Sequence, residues 1–133
     1  LAYGREPSES GRVHRDVKFR YQQGDPEVVG AMEELARYAE EARDALYRGD
    51  YERLGELMNA NFEIRRRLYG DEALGRASLE MIEIAREMGL PAKFPGSGGA
   101  VIAMYRTEEE AERLIEAYRK AGYEAVKVQI ERK

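Results

Sequence analysis

The chain has 133 residues, 43% hydrophobic and 36% charged, with 22 Lys and Arg against 26 Asp and Glu and a net charge of −4. That is the length of one domain with a real core, too apolar for disorder, too acidic and evenly charged to favour nucleic acid, and without the ~18-residue apolar run of a membrane span. There is no cysteine and a single histidine, so disulfides, thiolate metal sites and a Cys nucleophile are excluded, a Ser-His-Asp triad is disfavoured, and no metal site is expected. No signal peptide is present, so the expected location is cytoplasmic, with neither a nucleic-acid nor a membrane partner.

The chain begins at Leu1 rather than Met, with an apolar triplet, Leu1–Tyr3, that reads as a strand. Truncation of a longer protein is one account of that start, and tag removal or processing is the other. Gly4 to Gly11 has loop composition. Val13 to Gln23 forms a short helix ended by Gly24. Asp25-Pro26-Glu27 then opens a long helix with a cap residue, a proline at the first position and an acid in the first turn. Its apolar stripe is Val28, Met32, Leu35, Ala39, Ala42 and Leu46. Gly49 ends it and Asp50 caps a second long helix, with Leu54, Leu57, Met58, Ile64 and Leu68 on one face. Gly70 ends this helix and Asp71 caps a third, whose face is Leu74, Ala77, Met81, Ile82, Ala85 and Met88, closed by Gly89.

Beyond Gly89 the pattern changes. Pro91 to Phe94 is a short extended piece, followed by the loop Pro95-Gly96-Ser97-Gly98-Gly99. Ala100 to Tyr105 is an unbroken apolar run, as in a central strand covered on both faces. Thr107 with Glu110 is a capping box, and Ala111, Leu114, Ile115 and Tyr118 form the buried face of the helix that follows. Tyr123 to Ile130 contains an alternating strand, with Val126, Val128 and Ile130 on one side. The expected fold is α+β: three sizeable helices, then strand–loop–strand–helix–strand, with Leu1–Tyr3 completing a small, mostly antiparallel sheet covered by helices.

Few residues carry chemistry. Gly96, Gly98 and Gly99 free the backbone, so that amide N–H groups can approach an anion; a tight turn between strands is the plainer alternative. The loop lacks the terminal Gly-Lys-Ser/Thr of a Walker site. Asn61 and Arg65 fall one turn apart in the middle of an apolar stripe, where they need either a ligand or a buried acidic partner. The run Arg65-Arg66-Arg67 points at most one side chain inward, since successive helical residues face ~100° apart. His14 reads as a local hydrogen bonder, and the acidic pairs as ordinary helix surface. No residue qualifies as catalytic.

The segment Lys93-Phe94-Pro95-Gly96-Ser97-Gly98-Gly99-Ala100-Val101-Ile102-Ala103, directly after a helix ending Ala85-Arg86-Glu87-Met88-Gly89, resembles the third conserved motif of the GHMP kinases. Leu57-Met58-Asn59-Ala60-Asn61-Phe62 is similar to the helix preceding that motif. Arg65-Arg66-Arg67-Leu68-Tyr69-Gly70-Asp71 and Ser10-Gly11-Arg12-Val13-His14 sharpen the resemblance toward the sugar-1-kinase branch, of glucuronokinase type. The family's phosphate loop, Pro-x-x-x-Gly-Leu-Gly-Ser-Ser, occurs nowhere in the sequence.

The resemblance implies a GHMP kinase C-terminal domain of ferredoxin-like architecture, spanning residues 1–133, that works with an N-terminal kinase domain. The partner domain would bind most of the ATP and Mg2+. Gly96, Ser97, Gly98 and Gly99 would brace the phosphate site. Asn61 and Arg65 would face the sugar, an assignment that rests on the helical-face argument. The implied activity is phosphoryl transfer from MgATP to a sugar hydroxyl, the anomeric hydroxyl of a uronic acid being one candidate, with this chain silent alone. Two rival expectations are a stand-alone helical or ferredoxin-like module that binds a small anion or protein, and a separately encoded kinase subunit.

Overall fold

The computed structural model describes residues 1–4, 11–96 and 99–130, and the backbone alone at 11–14. The elements are β1 (Ala2–Tyr3), α1 (Gly11–Gln22), α2 (Pro26–Arg48), α3 (Tyr51–Tyr69), α4 (Asp71–Leu74), α5 (Arg76–Glu87), β2 (Ala92–Lys93), β3 (Ala100–Ala103), α6 (Glu108–Lys120) and β4 (Glu124–Ala125). Three helix starts follow their expected caps, whereas α4 begins at Asp71 itself, behind Gly70, with no side-chain cap bond. Asp25 accepts a hydrogen bond from the Glu27 amide at 3.1 Å, Asp50 from Arg53 at 3.1 Å and Thr107 from Glu110 at 3.2 Å. The Glu110 carboxylate reaches back to the Arg106 amide at 2.9 Å, one residue before the cap.

Strand order is β2-β3-β1-β4, antiparallel throughout, so the N-terminal triplet enters the middle of the sheet. Directly opposed residues share a face. Ala2, Val101 and Ala125 are therefore aligned on one face, and all three are buried. Helices α5 and α6 cover that face through Met81, Ile82, Ala85, Leu114 and Tyr118. The Tyr118 hydroxyl, buried and pushed above the usual phenol range by desolvation, donates to the Met81 carbonyl at 2.7 Å and ties the two helices together. A second cluster, Val17, Val28, Ala31, Ile64 and Leu68, joins α1, α2 and α3. Helix α3 takes part in both clusters, with Phe62 in the first and Ile64 and Leu68 in the second.

Several sequence expectations need correction. The stripe on α2 runs through Val28, Ala31 and Ala45, while Leu46 is 57% exposed. Val28, Met32 and Leu35 of the expected stripe do pack in the second cluster, but Ala31 and Ala45 are buried while Ala39 and Leu46 are exposed. The third helix is two, because Gly75 takes φ +86, a conformation no helix contains, and separates α4 from α5. On α5 the buried position is Ser78, and Ala77 is exposed. Phe62, absent from the expected stripe of α3, is fully buried because α3 has a second packed side. Strand β3 stops at Ala103, and Ala100 and Ile102 are only half-buried, since α5 and α6 pack on one face alone. Strand β4 covers only Glu124 and Ala125; Val126 still exchanges both backbone hydrogen bonds with Leu1, at 2.9 Å each, but its side chain and those of Val128 and Ile130 are exposed.

Helix α3 comes unusually close to the chain entering β2. A Cβ at Gly55 would lie 2.5 Å from the Pro91 ring, whereas a Cβ at Gly30 on α2 would meet nothing within 4 Å. A proline ring has little freedom to yield. Gly55→Ala should thus lose roughly 1–3 kcal/mol. Gly30→Ala should gain up to about 1 kcal/mol from helix propensity. Urea unfolding of the two variants beside the parent checks both signs.

Candidate functional site: a glycine loop held between two helices

Strand β2 is the outer strand on its side of the sheet, so backbone groups pointing away from β3 need partners from elsewhere. Helix α3 supplies them with side chains. The Ala92 amide donates to Asn59 Oδ1 at 3.1 Å. Arg65 donates from one terminal nitrogen to the Phe94 carbonyl at 3.2 Å and from the other to the Gly96 carbonyl. The six-residue spacing from Asn59 to Arg65 is ~9 Å of helix. It matches the ~7–13 Å of extended chain from residue 92 to residues 94–96. Helix and strand therefore run side by side, and the helix clamps the strand and the loop leaving it.

Aromatic packing fixes the clamp. The Phe94 and Phe62 rings meet edge to face at 5.4 Å and 81°, and both are fully buried. The Arg65 guanidinium lies 5.8 Å from the Phe94 ring centre, and Arg86 lies 4.8 Å from that of Phe62. Arg86 also bridges α5 to α3 through Glu63 Oε1 at 2.6 Å and the Asn59 carbonyl at 3.4 Å. At the far end of the loop, the Gly99 amide donates to Ser78 Oγ at 3.2 Å, and the Gly99 carbonyl accepts from Gly4 at 3.3 Å. The loop is anchored at its entrance by α3 and at its exit by α5.

Charge at this loop is one-sided. Among the described residues Arg65 has carbonyl oxygens for partners and forms no carboxylate pair. Burial pushes its guanidinium below the ordinary arginine value. Lys93 is likewise lowered, first by burial and then by the positive charge of Arg65. Two half-buried cations beside a glycine loop form an environment that favours an anion.

The expected site residues are only partly brought together. Gly96 and Gly99 are the loop's two anchor points; Ser97 and Gly98 lie outside the described residues, as does the side chain of His14. Arg65 turns toward the loop. Asn61, one turn earlier, shares no partner with it, and its Oδ1 is buried without a hydrogen bond among the described residues. Arg66 pairs with Asp71 at 2.6 Å and Arg67 with Glu34 at 3.7 Å, both near solvent. In the sequence, Asn59 and Lys93 stand only as members of the family-like segments, with no role of their own, and Ser78 is not singled out. Gly55 and Asn59, one turn apart on α3, were the available sign of a helix face turned toward another backbone. An apolar cleft of about 240 Å³ between α6 and the β1–β4 side of the sheet shares no lining residue with the loop. Among the described residues, no group of three His, Cys, Asp or Glu side chains could hold a metal ion, and no helix is long and apolar enough to cross a membrane.

Residues 42–124 match the family described as GHMP kinases C terminal. The chain belongs to that family. It is 46% identical to the probable glucuronokinase 2 of Arabidopsis thaliana over 92% of its own length and 34% of that protein's. With glucuronokinase 1 of Arabidopsis thaliana the identity is 45%, over 98% of this chain and 36% of the other. The chain thus spans about a third of the curated relatives it matches. Among solved structures, L. major mevalonate kinase in complex with R-mevalonate superimposes with a TM-score of 0.70 at 25% identity, over 90% of this chain and 37% of that one. A Lin0012 protein from Listeria innocua shares the fold, with a TM-score of 0.77 at 22% identity over 98% of this chain and 38% of that one.

This GHMP kinase C-terminal domain, homologous to glucuronokinases and mevalonate kinase, thus carries its glycine loop at the clamped end of β2. Removing an acceptor from a buried amide costs roughly 1–3 kcal/mol. Asn59→Ala should therefore destabilise the domain by about that amount, and Asn59→Asp, which keeps the oxygen, should recover most of it. Thermal unfolding of the pair, with amide exchange at Ala92, reads the effect directly.

Proposed function

We propose that this domain is one half of an ATP-dependent sugar kinase. It would transfer a phosphoryl group from MgATP to a sugar hydroxyl, the anomeric hydroxyl of a uronic acid being the favoured acceptor. The observation that carries the reading is the anchored glycine loop with two half-buried cations beside it that have no carboxylate partner among the described residues, in a chain 45% and 46% identical to two glucuronokinases. The reading carries with it an N-terminal partner domain with the phosphate loop, residues 1–133 acting as a single domain, and a cytoplasmic location where MgATP is supplied.

Phosphoryl transfer needs little covalent chemistry from the protein; positioning and charge stabilisation do most of the work. The loop from Gly96 through Ser97 and Gly98 to Gly99 would brace the nucleotide phosphates from this side. Two of the five guanidinium N–H groups of Arg65 are committed to the Phe94 and Gly96 carbonyls. Its remaining donors and its full charge would then meet the sugar carboxylate, a geometry a lysine cannot reproduce. Asn61, whose buried oxygen has no hydrogen bond among the described residues, would accept from a sugar hydroxyl. Mg2+ bound with ATP supplies charge neutralisation at the phosphates. On this reading the partner domain would hold that Mg2+, together with the base or charge stabiliser for the attacking hydroxyl.

The chain alone should turn over no ATP with uronates or hexoses. Joined to a phosphate-loop domain, it should phosphorylate a uronate, and Arg65→Lys should lower the ratio of kcat/KM for uronate over the matching neutral hexose by about tenfold or more. The ratio cancels whatever the substitution does to the loop. An unchanged ratio refutes the role of Arg65, and turnover by the isolated chain refutes the half-site reading.

A further inference from the structure

Ser78 is 4% exposed and sits on α5 between Leu74 and Met81, in a stripe otherwise filled by apolar residues. A buried hydroxyl is unfavourable unless it is hydrogen-bonded, and an alanine would fill the same place at no such cost. Its oxygen is taken up by the amide of Gly99, the last residue of the glycine loop, which has φ +82. Gly99 leads directly into β3 at Ala100, whose register is set by pairing with Tyr3. At the other end Arg65 draws the Phe94 and Gly96 carbonyl oxygens toward α3. Those oxygens would repel an incoming phosphate if they faced it.

We infer that Ser78 is a positioning residue for nucleotide binding: it holds Gly99 at the exit of the glycine loop, as Arg65 holds Gly96 at its entrance, so both ends are in place before the ATP phosphates arrive. The inference rests on the reading that this loop braces those phosphates. It assigns Ser78 no contact with ATP or sugar. Its effect is preorganisation, which acts on the affinity and alignment of the anion rather than on the chemistry of the acceptor.

The test uses the kinase with its phosphate-loop domain present. Ser78→Ala should raise the KM for ATP about fivefold, the loss of one ordinary hydrogen bond's worth of alignment, while the KM for the uronate stays within about twofold. Ile82→Val, a core truncation on the same helix that does not touch the loop, should lower the melting temperature but leave both KM values in place. An unchanged KM for ATP in an active Ser78→Ala enzyme, or equal shifts in both KM values for both variants, overturns the inference and leaves the kinase reading standing. Absence of phosphoryl transfer by the parent enzyme overturns the kinase reading, and this inference with it.

Discussion

The outer edge of β2 has no strand to pair with, and the rest of this structure depends on how α3 meets that need. A backbone amide or carbonyl left without a partner at a buried edge is costly. Here Asn59 and Arg65 act as a side-chain substitute for a fifth strand. That requires close approach, which explains a glycine at position 55 against Pro91, and it requires helix and strand to run in parallel over the same length. The buried Phe62–Phe94 pair follows from the same contact.

This arrangement turns a structural need into a chemical feature. A guanidinium used to satisfy carbonyl oxygens keeps its net charge, because carbonyls are dipoles and cannot neutralise it. Half-buried and with Lys93 beside it, that charge is concentrated at the start of the glycine loop. The same residues that hold the loop therefore bias it toward anions. At the other end Ser78 on α5 accepts from the Gly99 amide, so Gly96 and Gly99 are each tied to a helix.

Local chemistry was the most legible part of the sequence. Asp25-Pro26, Asp50 and Thr107 mark helix starts that the structure keeps, and glycines mark the ends. Long-range packing was less legible. The wheel placed Arg65 on an inward side of α3, but a wheel cannot show that the partner is a strand edge rather than an acid. Choosing Ala77 over Ser78 followed from ranking residues by hydropathy, whereas a hydroxyl with an amide to satisfy is at home in a core. Asn59 lies outside any apolar period, and only its contact with Ala92 gives it meaning. Val126, Val128 and Ile130 alternate like a buried strand face, yet all three side chains are exposed, and Val126 is held through its backbone pairing with Leu1.

The account is tested most directly by a crystal structure of the enzyme, phosphate-loop domain included, with a non-hydrolysable ATP analogue and a uronate. It predicts nucleotide phosphates within ~2.7–3.2 Å of amide nitrogens in the loop at residues 96–99, with Arg65 still on the Phe94 and Gly96 carbonyls and Ser78 still on the Gly99 amide. A nucleotide bound away from this loop, or a loop that abandons both anchors to receive it, would contradict the account.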